Sequence, residues 1–504
     1  MKVRHRLLNN LFWLGLSSLI WWVLRTGAKP SRGVYPCQQV AAANSWLWIS
    51  LYILPLFSTI KNRIPRLLRT RSLIYLPLAL VIIISLIMSL NASLFSSDLT
   101  AINRSVNLDL QSQVTMLSPA SDIFVINGTS GNDGGVINLI NLMGTRGTLF
   151  YQSPRTGFNQ GPSGLISADD VIIIKINCQW DERGGTNTDV LKSVIQAILL
   201  HPDGFNGEII VADNGQAQNG PEGEGGSLEY NKNNAEDTAQ SVQKVVDSFS
   251  GTYRISTYLW DTITNNRVRE YSEGDDEDGY IAGAEIDPFT GLLVSYPKFK
   301  TQFDTHISFK MGIWDPIRKT YNSQRLKIIN LPVLKSHKEY GVSAAVKNYM
   351  GVTSARLTRE LGADSHFTIG EGGMGKQMAE TRFPVLNIID AIWVNATPGT
   401  GPYTSYDMAT RTNVIAASSD PFALDYYAAK YILVPAARKQ GIMEVSRIDP
   451  DNVSEGSFGD WLRKSRDEAV LSGRQATVDE AYINIFVSRL EEAIPAASPA
   501  SLTP

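Results

Sequence analysis

The segment Lys335-Ser-His337-Lys338-Glu339-Tyr340-Gly341-Val342-Ser343-Ala344-Ala345-Val346-Lys347-Asn348 gathers the side chains of this 504-residue chain best suited to proton transfer and anion binding. His337 is one of only five histidines, and imidazole exchanges a proton near neutral pH. A lysine crowded by other cations holds its own proton less tightly, which suits a base or a nucleophile. Lys335 and His337 are two apart, so an extended backbone places both on one face. Lys347 and Asn348 close a short helical pattern. A solvated basic loop has the same composition. A site is favoured because other polar residues fall at the ends of neighbouring strands.

Those strand ends are readable one by one. Val171–Asn177 (VIIIKIN) carries Lys175 and Asn177 and leads into Cys178 and Gln179. Glu208–Asp213 (EIIVAD) delivers Asp213 and then Asn214. LNIID ends on Asp390, and the strand at Val414 leads to Ser418, Ser419 and Asp420, with Asp425 one turn into the next helix. In open α/β sheets, ligands bind beyond the carboxyl ends of the strands. The candidate catalytic residues are therefore His337, Lys335, Lys347 and Asp390. The candidate substrate-binding residues are Lys175, Asn177, Asp213, Asn348, Asp420 and Asp425. No metal ligands and no cofactor are assigned. Structural roles compete with these. A buried Lys175 needs a partner, and an ion pair with Asp213 or Asp390 would supply it. Asp420 before Pro421 is also a helix-start signature, and Asp425 faces either the site or solvent.

The elements that must hold these residues alternate between strand and helix. Further strands are expected at Ile123–Asn127, Leu326–Leu331, Leu386–Ile392 and Val414–Ala417. Helices are expected at Val136–Met143, Thr188–Leu200, Ala235–Phe249, Gly341–Met350 and Pro421–Leu433. This predicts an α/β fold, a mainly parallel sheet with flanking helices. A β-hairpin insertion rich in Tyr, Thr, Phe and Gly is expected at about 254–313. The predicted organisation is a membrane segment over 1–95 with two to three transmembrane helices, a polar linker over 96–118 and the α/β domain over 119–455. C-terminal amphipathic helices follow over 456–495, then a disordered tail over 496–504.

The membrane expectation rests on charge. Residues 1–90 hold eleven basic side chains and no Asp or Glu, whereas the remainder holds 35 basic against 49 acidic, a net of −14. The basic end contains three uncharged apolar runs, Leu7–Leu24, Val40–Ile60 and Ser72–Leu90, near the ~20 residues that spanning requires. Five basic residues lie between the second and third runs, from Lys61 to Arg71. Lys and Arg gather in cytoplasmic loops, so a multi-pass protein with its C-terminal domain outside the cytoplasm is predicted, with the lipid bilayer as a partner. The acidic body argues against nucleic-acid binding. Two cysteines, Cys37 and Cys178, with no C-x-x-C pair, leave no ligand set for a protein-held iron–sulfur cluster. They read as free thiols, one disulfide being the alternative.

Two motifs are decoys. Gly370-Glu-Gly-Gly-Met-Gly375-Lys376 fits G-x-x-x-x-G-K, but Gln377 replaces the Ser or Thr that would hold Mg²⁺. It reads instead as a mobile glycine loop over the site. Asp276, Asp278, Gly279 and Glu285 match part of a calcium loop, but Gly274 stands at its first position. An acidic hairpin tip is the default reading.

The segments VIIIKIN, IIVADN, IINLPVLKSHKEYGVSAAVKNYMGV, LNIIDAI followed by GTGP, and VIAASSDPFALDYYAAKYIL resemble the family called domain of unknown function 362. The resemblance runs in order from Asp170 to Leu433, and the basic apolar end with KPSRGVYPCQQVAAA resembles its larger, membrane-anchored members. Many relatives carry ferredoxin-type cysteine clusters, which this chain lacks. A shorter stretch, His337 to Lys347 with Gly341 and Ser343 between, is similar to the H…G-x-S-G-G-x-K segment of the nickel-pincer lactate racemase family. There the histidine works in proton or hydride exchange and the lysine holds the cofactor. Here Ala344 and Ala345 replace two glycines, so the similarity implies distant common architecture rather than a nickel enzyme. The expected function is an extracytoplasmic, membrane-tethered α/β protein acting on a small anionic or polar ligand. It would be an acid–base, isomerase-like enzyme. The alternatives are a non-catalytic binding module and a structural membrane-assembly protein.

Overall fold

A computed structural model describes residues 121–215 and 226–490, with Ser18, Leu19 and Ser45 as isolated positions. Ten strands form its main sheet: β1 Ser121–Asn127, β2 Val171–Lys175, β3 Glu208–Asp213, β4 Ile255–Leu259, β5 Leu326–Asn330, β6 Val333–His337, β7 Gly341–Ser343, β8 Leu386–Asn395, β9 Thr410–Ser418 and β10 Ile483–Arg489. Their order is β10-β1-β9-β8-β5-β2-β3-β4, with β6 pairing β8 and β7. The run β8-β5-β2-β3-β4 is parallel. β10 pairs parallel with β1 and β6 parallel with β8, whereas β9 lies antiparallel to both β1 and β8 and β7 lies antiparallel to β6, so the sheet is mainly parallel, as expected, with an antiparallel minority.

The central strands are apolar throughout because both faces are covered. Ile172, Ile174, Ile209 and Val211 pack into one core layer, whereas Ile173, Ile210 and Ile328 pack into the opposite one. The first layer is completed by α1 Gly135–Thr145, α2 Thr188–Leu199 and α3 Val242–Ser250. The second contains α4 Ala345–Asn348, α5 Gly373–Glu380, α6 Pro421–Ala428 and α7 Phe458–Leu471, together with Tyr280 and Phe299 from a separate antiparallel sheet and Phe309 just after one of its strands. α2 starts where it does because Asn187 Oδ1 accepts the N–H groups of Asp189 and Val190 at 2.9 and 3.3 Å, which caps two otherwise orphaned donors.

Several expectations are corrected. Among the described residues no helix is long and apolar enough to cross a membrane. The longest described, α7, has 14 residues and is amphipathic, short of the ~20 a span needs. This overturns the transmembrane part of the fold class and the multi-pass placement with an external C-terminal domain. Apart from Ser18, Leu19 and Ser45, the three apolar runs, and with them the 96–118 linker, the 496–504 tail and Cys37, lie outside the described residues. The helix expected over Gly341–Met350 is instead β7, α4 and a 3₁₀ turn at Tyr349–Val352. Gly341 has φ +76°, a conformation glycine adopts cheaply, and it turns the chain so that Ser343 pairs with Lys335. The second C-terminal helix is β10, which runs parallel to β1 over seven residues. The insertion lies later than expected. Ile255–Leu259 joins the main sheet, and the five-stranded antiparallel sheet runs from Gly279 to Asn322.

Candidate active site

The carboxyl ends of β2 and β3 meet the chain just beyond β5. Lys175, the last residue of β2, is fully buried, and its Nζ lies 2.5 Å from Asp213 Oδ1 at the end of β3. It also donates to the Ile176 carbonyl at 2.7 Å. The second Asp213 oxygen accepts the Cys178 N–H at 2.7 Å. Of the readings open for Lys175, the ion pair with Asp213 is the one observed.

Lys335 and Lys347 differ from Lys175. Lys335, in β6, is buried, and its Nζ donates to the Gly184 carbonyl and, at 3.5 Å, to Asn177 Oδ1. Lys347, in α4, is also buried, with its Nζ 5.7 Å from the centre of the Tyr340 ring. Among the described residues neither joins a carboxylate in an ion pair. Removing an ammonium from water disfavours its charged form. Burial, reinforced by the neighbouring Lys347, lowers Lys335 to about 7. Burial lowers Lys347 to about 8, against the pull of Glu339. Near neutral pH one of these amines is poised to stand unprotonated, or an anion must compensate them.

His337 follows Lys335 by two residues, beside rather than in the cavity wall. Its Nδ1 accepts the N–H groups of Glu339 and Tyr340 at 3.1 and 3.2 Å, so the proton of the neutral ring sits on Nε2. Burial, then the charge of Lys347, pushes its pKa far below the ordinary histidine value. The ring is a hydrogen-bond donor, not a free base. It packs near Tyr340 and His366, with ring centroids 5.4 and 6.1 Å away.

Buried amides complete the floor. Asn348 Nδ2 donates to Asn330 Oδ1 at 2.8 Å, and Asn330 Nδ2 donates to Asn387 Oδ1 at 2.9 Å. Asn177 Nδ2 reaches Asn348 Oδ1 at 3.4 Å. The cavity among these groups is lined by Lys175, Asn177, Asp213, Lys335, Lys347 and Asn348, with Gln179, Asn214, Ser343, Gly351, Pro332, Val333, Ala344 and Pro402. Its enclosed space is about 20 Å³, enough for a water molecule, within about 390 Å³ of empty volume that includes open solvent.

Six of the ten expected residues therefore converge, His337 lies next to them, and three are elsewhere. Asp390 accepts the N–H groups of Asn187 and Ile392 and the amide of Asn234, at 3.0, 3.1 and 3.1 Å. Burial raises it to about 7 against those donors. Asp420 caps α6 through Phe422 and Ala423, and also holds Ser121 and Thr477. Asp425 acts one step removed. Its two oxygens accept the N–H groups of Ala345 and Val346 at 2.7 and 2.9 Å, fixing the start of the helix that carries Lys347 and Asn348. Burial lifts Asp425 to about 8 against these two bonds.

Asn330, Gly184 and Ser343 were missed by sequence reasoning. Asn330 is the penultimate residue of the predicted strand Leu326–Leu331 and the last of the observed one, so the rule that singled out Lys175 would have found it. Gly184 contributes only a carbonyl, and no side-chain pattern marks that. The glycine segment is no mobile loop: Gly373–Glu380 is a helix, and a Cβ at Gly375 would overlap the Ser465 carbonyl of α7. In the acidic turn, Asp275 accepts the N–H groups of Arg269 and Glu277, and Asp278 accepts from Tyr258 and Lys300.

Residues 323–430 match the family model described as Domain of unknown function (DUF362). That segment, 108 of the 504 residues, is similar to the family. The matched DUF362 segment supplies β6, β7, α4, β8 and β9, and with them Lys335, His337, Lys347 and Asn348. Lys175 and Asp213 come from strands before it. No curated protein and no solved structure matches the chain.

Proposed function

We propose that this chain is an acid–base enzyme for a small anionic or polar substrate held between Lys335 and Lys347. The observation that supports this is the pair of buried lysines at the wall of one cavity that, among the described residues, form no ion pair with a carboxylate. Burying an uncompensated charge is expensive, and a bound anion or loss of one proton relieves it. Lys347 then holds the anionic group, and Lys335, once unprotonated, takes a proton from the substrate. A base poised near the working pH is the efficient choice. Asn177 and Asn348 orient the substrate, and the Nε2–H of His337 stands in reserve as a neutral donor. The Lys175–Asp213 pair is charge-balanced and holds the cavity wall.

The test is proton exchange. Short 2-hydroxy and 2-oxo carboxylates are incubated with the full chain in D₂O and followed by proton NMR. Loss of a substrate C–H signal above the buffer rate, abolished in Lys335→Met, is the expected result. No exchange with any member of the panel, or undiminished exchange in Lys335→Met, overturns the assignment. A binding module would show affinity without exchange.

A further inference from the structure

We infer that Lys335 is also a nucleophile, forming an imine with small carboxylates that carry an aldehyde or ketone while Lys347 neutralises their carboxylate. This rests on the reading of the cavity as an anion site and names the substrate class for it. A neutral primary amine has two hydrogens and one lone pair. The Gly184 carbonyl and Asn177 Oδ1 take the two hydrogens of Lys335. The lone pair is left the remaining tetrahedral position, and Lys335 is among the residues that line the cavity. Among the described residues, the one carboxylate in the lining, Asp213, is engaged by Lys175. Its charge still favours the ammonium form of Lys335, but burial and Lys347 outweigh it. Burial lowers the proton affinity of the amine in support.

A carboxylate fits better than a phosphate. Phosphates favour exposed N–H groups at helix starts and forked Arg donors. The first two N–H groups of α4 are already taken by Asp425, and the lining contains no arginine.

The step balances without an oxidant or reductant. The Lys335 lone pair forms a C–N bond to the carbonyl carbon as the C=O π pair moves to oxygen. The proton released by nitrogen passes to that oxygen. The hydroxyl then leaves as water with a second proton, from the Lys347 ammonium, giving an iminium, and solvent restores Lys347.

The experiment treats the full chain with glyoxylate and sodium cyanoborohydride and maps modified lysines by peptide mass spectrometry. Exposed Lys338 serves as the internal comparison. Carboxymethylation at Lys335 faster than at Lys338 is expected. Lys347→Met should slow labelling by glyoxylate more than labelling by acetaldehyde, which has no carboxylate. Labelling at Lys335 no faster than at Lys338 overturns the imine. Formate separates the two claims, because it has no ketone or aldehyde substituent. If formate raises the melting temperature of wild type but not of Lys347→Met while Lys335 is unlabelled, the anion site stands and the imine falls. If formate has no effect and Lys335 is unlabelled, both fall. The comparison of two lysines within wild type needs no variant to fold.

Discussion

Gly351 lies so close to Asp213 that a β-carbon there would overlap Asp213 Oδ1 and stand 2.6 Å from Lys175 Nζ. The glycine therefore leaves the space in which the buried ion pair closes. Gly351→Ala should force the pair apart and cost about 3–5 kcal/mol, the cost of breaking such a pair. Gly370→Ala, where an added Cβ meets nothing within 4 Å, should stay within about 0.5 kcal/mol. Urea unfolding of both variants is the check, and equal stabilities would contradict the packing argument.

Stability should rise with pH above neutrality. Lys335 and Lys347 are lowered to about 7 and about 8 from 10.5. Between those values and 10.5 the unfolded chain binds more protons than the folded one, so unfolding becomes harder as pH increases. Below about 7 both amines are protonated in either state and their contribution is constant. Lys335→Met should flatten this rise by a few kcal/mol between pH 7 and 10, read as the difference in unfolding free energy from wild type. Parallel wild-type and variant curves would show that Lys335 is ordinarily protonated.

Two buried aspartates should separate by what they hold. Asp425→Ala leaves the Ala345 and Val346 N–H groups without their acceptor, at about 1–3 kcal/mol each. It should also weaken anion binding, because those groups fix the helix bearing Lys347. Asp420→Ala removes the α6 cap at about 1 kcal/mol, and binding by the folded protein should be unchanged. Calorimetric titration with formate distinguishes them. Equal affinities would show that Asp425 does not position Lys347.

The His337 ring should remain neutral on acidification. Its Nδ1 accepts from Glu339 and Tyr340, and burial and Lys347 oppose a second proton. Nitrogen NMR should report an Nε2–H tautomer that persists well below the ordinary midpoint of about 6.5. Because the unfolded histidine does protonate there, this residue contributes stability that is lost as pH falls through that midpoint. A midpoint near 6.5 in the folded protein would contradict the tautomer.

Much of this site was legible because parallel strands buried on both faces read as nearly unbroken apolar runs. Against VIII and EIIVA, a terminal Lys175 or Asp213 stands out, and strand ends converge by topology. The same rule misplaced Asp390, since its acceptor role depends on Asn187 and Asn234, which only the fold brings to it. The apolar content of Gly341–Met350 suits a helix. What overrides it is a local hairpin, the pairing of Ser343 with Lys335 that the positive φ of Gly341 permits. The β-branched and aromatic residues of INIFVSR carried a strand signal, but its partner β1 lies some 360 residues earlier. The membrane reading drew on apolar runs outside the described residues, and the described helices include none able to span a bilayer.

The central claim is that Lys335 and Lys347 form one receptor for a small anion. Isothermal titration of the full chain with formate at pH 7, in two buffers of different ionisation enthalpy, tests it most directly. One-to-one binding with net proton uptake, lost in the Lys335→Met/Lys347→Met double variant, is predicted. No binding, or binding that the double variant retains, would contradict the account.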